Sequence, residues 1–335
     1  MKNTNRDKTI VLDSLSIGYR ERCVISNINA TIYSGELTSL LGANGVGKST
    51  LLRTMTANQP KLGGDIYYNG QELSTYSQKS LSKMIGIVLT ERVTIKNITV
   101  FELVSFGRSP YTGFWGSISE QDKKIIKESL QLVGIEHLAN RMVQTLSDGE
   151  RQKAMIAKAL SQQTPIILLD EPTAFLDFPS KVEIMQLLHR LSRLTRKTIF
   201  MSTHDLDLAL QISDRIWLMD GQRGVNTGIP EDLALDGSLS NFFERKGIAF
   251  DPCTGLFRVD NSISLEVELI AKKGNDNRAQ MVRKALLRCG IATQENLPNS
   301  EYSILVDTEQ ITLTSKYGQQ TICSNIEELL NIIVR

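Results

Sequence analysis

Residues Gly42-Ala43-Asn44-Gly45-Val46-Gly47-Lys48-Ser49 meet every fixed position of G-x-x-x-x-G-K-[ST], a pattern that cradles phosphate. The glycines let backbone N–H groups turn inward around a phosphate chain. Lys48 adds a point charge that can reach β- and γ-phosphates, Ser49 offers a hydroxyl to Mg²⁺, and Thr50 completes the nucleotide-binding run. A second element is Leu168-Leu169-Asp170-Glu171. An apolar strand ending in Asp170 places a carboxylate where it can hold Mg²⁺. Glu171, next in sequence, can polarise an attacking water. A third is Leu146-Ser147-Asp148-Gly149-Glu150-Arg151-Gln152, a polar, Gly-containing turn at the start of a helix that could receive another phosphate. One chain thus carries two phosphate-binding helix starts.

The elements that must position these residues are legible. Leu37–Leu41 reads as a buried strand and 49–55 as a helix, so a positive helix end faces the phosphates. Strands are also expected at 9–19, 24–32, 63–70, 85–89, 166–169 and 198–202. The stretch 98–160 is mainly helical, with segments at 100–106, at 120–132 between a Ser119 cap and a Gly134 stop, and at 149–160. A helix over 181–193 separates two apolar strands, which is the mark of a parallel sheet covered on both faces. In such sheets ligands gather at the carboxyl ends of strands. The cradle, Asp170 and His204 all sit at such ends.

From about residue 222 the pattern loosens. Alternation at Ile263, Leu265, Val267 and Leu269 gives a strand, 276–289 a helix, 302–306 and 311–314 two more strands, and a Ser324-x-x-Glu327 capping box opens a helix over 326–334. This β-α-β-β-α series predicts a separate small α+β domain. The division is then a nucleotide-binding domain over 1–240 with a helical subdomain at about 98–160, a linker over 241–262, and an accessory domain over 263–335.

Composition sets the remaining bounds. The 335 residues are 41% hydrophobic and 22% charged with a net charge of +1, so no global field argues for nucleic acid. Cys23, Cys253, Cys289 and Cys323 have no metal-ligand spacing and read as unpaired thiols of a reducing compartment. The polar start 1–8 lacks the apolar core of a signal peptide, and no apolar run approaches the ~20 residues that span a bilayer. The expectation is a cytoplasmic protein that meets membranes through a partner.

The three elements together resemble the ABC ATPase family, whose signature motif reads L-S-G-G-Q. Asp148 and Glu150 replace its usual Gly and Gln, while Ser147 and Gly149 are retained. The resemblance extends to Tyr19, matching an aromatic that stacks on adenine, and to Phe175-Leu176-Asp177, with Asp177 at a dimer contact. Ser202-Thr203-His204-Asp205 matches the switch motif, where His204 would touch the γ-phosphate. His137 and His189 have no such partner motif and read as structural. The family's usual Gln after the strand at 85–89 is replaced by Thr90-Glu91, either of which could reach Mg²⁺. Phe106-Gly107-Arg108-Ser109-Pro110-Tyr111 looks like the G-R-x-P segment of ATPases serving iron-siderophore, haem and cobalamin importers.

The resemblance, over roughly residues 9–235, implies an α/β P-loop NTPase with an N-terminal β-subdomain. It implies a head-to-tail homodimer in which Ser147 of one copy faces phosphate held by Lys48 of the other. It also implies catalysis by Glu171, His204 and Lys48, with ATP and Mg²⁺ as ligands. Transmembrane permease subunits and a substrate-binding protein are the implied partners, at the cytoplasmic face of the plasma membrane. Two rival classes remain: a soluble ABC ATPase that remodels nucleic acid or ribosomes, and the ATPase of an exporter.

Overall fold

The computed structural model describes residues 7–20, 22–89, 97–112, 117–243, 248–251, 256–259, 262–272, 274–298 and 300–334. They fall into two compact units, Met1–Phe242 and Phe243–Arg335. Thr90 and Glu91 lie outside the described residues.

In the first unit, β1 (Lys8–Tyr19) and β2 (Arg22–Tyr33) form a long hairpin. Strand β3 (Leu37–Gly42) feeds α1 (Lys48–Met55) through the cradle. Strands β4 (Gly63–Tyr68) and β5 (Gln71–Glu72) return to the hairpin, giving an antiparallel sheet of order β2-β1-β4-β5. Helix α2 (Gln78–Met84) leads into β6 (Ile85–Val88).

Helices α3 (Val100–Ser105), α4 (Glu120–Val133) and α5 (Asp148–Ser161) follow, each opened by a capping box at Thr99, Ser119 and Ser147. Gly134 ends α4 in the left-handed region, as the sequence predicts. Then come β7 (Ile166–Leu169), α6 (Phe178–Thr195), β8 (Thr198–Ser202), α7 (Leu206–Ile212), β9 (Arg215–Asp220), β10 (Gly224–Gly228), α8 (Pro230–Leu235) and α9 (Ser238–Phe243). The central sheet has order β10-β9-β3-β8-β7-β6, with every pair parallel except β9–β10.

The continuous apolar runs of this sheet are explained by its two covered faces. Leu37, Val88, Ile167, Leu169, Ile199 and Met201 face a core shared with α3 to α6. Leu40, Ile85, Ile166, Leu168, Phe200 and Trp217 face a second core built from the antiparallel sheet and α1. Strands β9 and β10 were not expected from the sequence, because the β9 run Arg215–Asp220 has charged ends and only four apolar residues. In the fold β9 lies beside β3 and buries Trp217 completely against Phe200.

The Gly107-Arg108 segment is an internal clamp. Arg108 is 5% exposed; its Nε donates to Asp122 Oδ1 at 2.7 Å and its Nη1 to the Ser161 carbonyl at 2.7 Å and Gln163 Oε1 at 3.0 Å. It thereby ties the start of α4 to the end of α5. The Ser119 hydroxyl, and then Arg108, hold the Asp122 carboxyl below its usual range.

The second unit differs in detail from the expected pattern. Within the stretch expected as linker, β11 (Ile248–Asp251) and β12 (Leu256–Val259) pair as a hairpin. Beyond it, β13 (Leu265–Ala271), α10 (Asp276–Arg288), β14 (Ile291–Gln294), β15 (Tyr302–Val306), β16 (Ile311–Ser315), β17 (Gln320–Cys323) and α11 (Ile326–Ile333) build a five-stranded mixed sheet of order β14-β13-β15-β16-β17. The sequence pattern missed β14 and β17 because each is short and of mixed polarity, with no continuous apolar run. The cap of α11 is shifted by one residue: Asn325 accepts from the Glu328 N–H at 2.9 Å, in place of the expected Ser324–Glu327 box.

Candidate functional site

The cradle forms where β3 ends. Gly45 and Gly47 adopt φ of 77° and 114°, and a Cβ at Gly47 would lie 2.7 Å from Val24 Cγ1. Glycine is therefore required at Gly47 twice over, by backbone and by the hairpin packed on it. Residues Ala43, Asn44 and Gly45 are exposed, whereas Lys48 and Thr50 are each 5% exposed. Lys48 Nζ donates to the carbonyls of Gly42 at 2.9 Å and Ala43 at 3.2 Å. The ammonium thus hangs inside the loop that would wrap a phosphate, with Val46 and Ser49 partly covered on either side. Tyr19, half exposed, accepts at its hydroxyl from Thr50 Oγ1 at 3.1 Å, which fixes the ring beside the start of α1.

Sheet register brings the acids to the same end. Leu40 is opposite Ser202, and Leu169 is opposite Met201, so Gly42, Thr203 and Asp170 emerge side by side. The Thr203 N–H donates to the Leu40 carbonyl at 3.1 Å. Ser202 joins the two acids: its hydroxyl donates to Asp170 Oδ1 at 2.6 Å and accepts from the Glu171 N–H at 2.9 Å. Glu171 is held at φ 47°, an unusual backbone state for a residue with a side chain. Its Oε1 is hydrogen-bonded to His204 Nε2.

Behind this pair, Thr173 Oγ1 and Lys181 Nζ donate to the two oxygens of Asp205 at 2.6 and 2.8 Å. Sequence reasoning did not single out Ser202, Thr173, Lys181 or Asp205 as site residues. The signal for Ser202 and Asp205 was their place in the switch motif around His204, where only the histidine was given a role.

The remaining candidates form a second group on the same unit. The Ser147 hydroxyl accepts from the Glu150 N–H at 3.2 Å, and Glu150 Oε2 accepts from the Ser147 N–H at 2.9 Å. A Cβ built on Gly149 would meet Ser180 Oγ at 3.3 Å. Asp177 caps α6 by accepting from the Ser180 N–H at 3.2 Å, and the bonds from Ser180 hold its carboxyl below the usual range. Gly149 and Asp177 therefore meet at Ser180, with Ser147 two residues before Gly149 in the same turn. Lys48, Asp170, Glu171 and His204 gather at the ends of β3, β7 and β8 instead. The site residues fall into two half-sites.

Mg²⁺ is tested by donor chemistry. Among the described residues no group of three or more His, Cys, Asp or Glu could hold a metal. A Ser49 hydroxyl and an Asp170 carboxylate suit Mg²⁺, which takes one or two protein ligands and fills its octahedron from phosphate and water. The donor set fits the ion. Among the described residues no helix is long and apolar enough to cross a membrane.

Comparison with known proteins gives a consistent result. A family model described as ABC transporter matches residues 25–174. The chain is 36% identical over 271 residues to an uncharacterized ABC transporter ATP-binding protein of Methanocaldococcus jannaschii, covering 81% of this chain and 93% of that protein. It is 40% identical over 259 residues to the iron(3+)-hydroxamate import ATP-binding protein FhuC of Bacillus subtilis, covering 77% and 94%. With the ferric enterobactin transport ATP-binding protein FepC of Escherichia coli it shares 33% identity, covering 72% and 90%. Among solved structures, CbiO1 of Clostridium perfringens, part of the CbiONQ ABC transporter complex, has a TM-score of 0.62 at 29% identity, covering 72% and 96%. A dimeric bacterial ABC transporter cassette has a TM-score of 0.57 at 29% identity, covering 66% and 98%.

Proposed function

This chain belongs to the ABC transporter ATP-binding family, and from that membership we propose that it is the ATP-hydrolysing subunit of an importer for iron-siderophore chelates, working as a head-to-tail dimer. The observation that carries the substrate reading is the 40% identity to FhuC over 94% of that protein. The Phe106–Tyr111 segment, which looks like its counterpart in such ATPases, supports it. The relatives FhuC and FepC are named for iron(3+)-hydroxamate import and ferric enterobactin transport. Neither the remodelling of nucleic acid nor export is favoured by any observation.

The mechanism follows from the two half-sites. The cradle and Lys48 hold the triphosphate of ATP, and Tyr19 supplies a face for adenine. Ser49 and Asp170, with Thr90 as a further candidate, would hold Mg²⁺, which when bound would supply neutralisation of phosphate charge. Glu171 takes a proton from the water that attacks the γ-phosphorus, and the bond to the bridging oxygen breaks toward ADP. His204 orients Glu171 and reaches toward the γ-phosphate. The Ser147–Gly149 turn and Asp177 of a second copy close over the same nucleotide, so ATP favours the closed dimer and hydrolysis releases it. We assign the permease subunits as the partners that closure pulls upon, at the cytoplasmic face of the membrane. A substrate-binding protein delivers the chelate on the opposite side. The unit after Phe243 is read as an accessory module that regulates or steadies the dimer.

The test is uptake in a strain lacking this chain, offered iron-hydroxamate, haem or cobalamin in turn. The reading expects loss of iron-hydroxamate uptake, restored by the wild-type chain and not by Lys48→Ala. Full uptake of all three would sink it. Comparing ATPase rate and uptake with and without residues 250–335 tests the accessory role.

A further inference from the structure

The turn that opens α5 carries two carboxylates, Asp148 and Glu150, where the family motif has Gly and Gln. Each is faced by an arginine. Arg151 Nη1 donates to Asp148 Oδ1 at 3.1 Å, and Arg141 Nη1 lies 3.6 Å from Glu150 Oε1. The same two guanidiniums grip the backbone leading into the turn. Arg141 Nη2 donates to the Thr145 carbonyl at 2.8 Å, and Arg151 Nη2 to the Leu146 carbonyl at 3.2 Å. Hydrogen bonds from the Ser147 backbone and hydroxyl, and then the Arg141 charge, hold the Glu150 carboxyl below its usual range. Without compensation, a helix start bearing two negative charges is a poor surface for a polyanion.

We propose that Arg141 and Arg151 are positioning residues that cancel the charges of Asp148 and Glu150, so that this turn can meet the triphosphate held by a second copy. The inference rests on the composite-site reading above. Its physical content is specific. Ser147 Oγ accepts from the Glu150 N–H and its hydroxyl also bonds the Glu150 carboxylate, so a phosphate oxygen would draw the hydroxyl away from that carboxylate. Glu150 therefore both caps the helix and brings a charge that must be offset. Paired with the arginines, the turn is neutral in sum. Each pair is solvent-accessible, so it matters through the field at the turn and little through stability.

The experiment uses the full chain and measures ATP hydrolysis across ATP and protein concentrations. Arg141→Gln with Arg151→Gln should raise the ATP and protein concentrations needed for half-maximal rate by about three- to tenfold, the scale of exposed charge pairs. Binding of a fluorescent ATP analogue at low protein concentration should stay unchanged, because the cradle is untouched. Arg141→Lys with Arg151→Lys keeps the charges and should restore most of the lost dependence. In a chain that also carries Asp148→Gly and Glu150→Gln, the arginine-to-glutamine changes should lose their effect. An equal effect in both backgrounds would reduce the arginines to backbone clamps, and no effect in either would remove them from the closing step; both results overturn the proposal. Ser147→Ala separates the two levels of argument. If it leaves the rate's dependence on protein concentration intact, the composite site itself fails and the proposal falls with it. If it impairs that dependence while the arginine changes do not, only the charge-cancelling role is lost.

Discussion

His204 Nε2 and Glu171 Oε1 are hydrogen-bonded across the carboxyl ends of β8 and β7. The bond spans two strands that are neighbours in the sheet but about 30 residues apart in sequence, and it aims the carboxylate toward the end of β3 where the cradle begins. Glu171 reaches it only by taking φ of 47°, with its N–H anchored on Ser202 and its carbonyl accepting from the Ala174 N–H at 3.0 Å. A residue held in a sparsely populated backbone state by its neighbours is arranged for something other than stability.

Replacing that carboxylate should separate binding from chemistry. Glu171→Gln is nearly the same size and keeps a partner for His204, but cannot take a proton. ATP affinity should stay within about twofold while turnover falls by about 10²–10⁴-fold, the usual contribution of a positioned base. The variant should also accumulate an ATP-dependent dimer in sedimentation. Undiminished hydrolysis would remove Glu171 from the base role.

Ser202 makes a subtler case. Its hydroxyl bridges Asp170 and the backbone of Glu171, so Ser202→Ala frees both at once. The side chain is fully buried, and the smaller alanine leaves the fold intact. Loss of an orienting hydrogen bond of this kind costs about 10–100-fold in metal affinity or activity. The expected result is a higher Mg²⁺ requirement and a lower kcat with little change in ATP affinity, measured by steady-state kinetics at graded Mg²⁺. A variant with wild-type Mg²⁺ dependence would show that Asp170 is held adequately without Ser202.

Gly107 and Arg108 should behave as structural residues. A Cβ at Gly107 would fall 2.1 Å from Ser161 Oγ and 2.2 Å from the Lys158 carbonyl, one of them backbone. Gly107→Ala should cost about 1–3 kcal/mol by overpacking. Arg108→Met leaves the Asp122 carboxylate with its two Ser119 bonds alone and should cost about 1–3 kcal/mol. Denaturant melts monitored by circular dichroism check both. A neutral Arg108→Met would mean that Asp122 finds another donor.

How much of this was readable from sequence depends on range. The cradle, the Asp170–Glu171 pair and the caps at Ser119 and Ser147 are local patterns, each decided within a few residues by turn chemistry and period. Ser202 was read only as the first residue of the switch motif, with no sign of the bond it makes to Asp170. Its role arises only when β7 and β8 pair with Leu169 opposite Met201. Arg108 was read only as part of a G-R-x-P segment, with no sign of its burial; that comes from α4 and α5 closing around it, with Asp122 and Ser161 supplying partners 14 and 53 residues away. Strands β14 and β17 were lost because their four residues, Ile291-Ala292-Thr293-Gln294 and Gln320-Thr321-Ile322-Cys323, form no continuous apolar run of the kind that marks the equally short β6 and β7.

Lys197 offers a test of burial against pH. Its Nζ donates to the Thr164 carbonyl, and desolvation lowers its pKa from 10.5 to about 8. The folded value lies below the unfolded one, so between about pH 8 and 10.5 the unfolded chain holds more protons and stability rises with pH. Below that window both states are charged and the burial penalty is present in full. Lys197→Met removes the penalty and the hydrogen bond together. Because the donor is charged, the hydrogen bond contributes about 1.5–3 kcal/mol, somewhat less than the penalty, so the variant should be more stable than wild type at pH 7 by up to about 2 kcal/mol. Its advantage should shrink as pH approaches 10, where the wild-type ammonium has lost its proton. Urea unfolding of both chains at pH 7 and pH 10 reads this difference directly. A variant less stable at pH 7, with the same deficit at pH 10, would show that the Thr164 bond outweighs the buried charge.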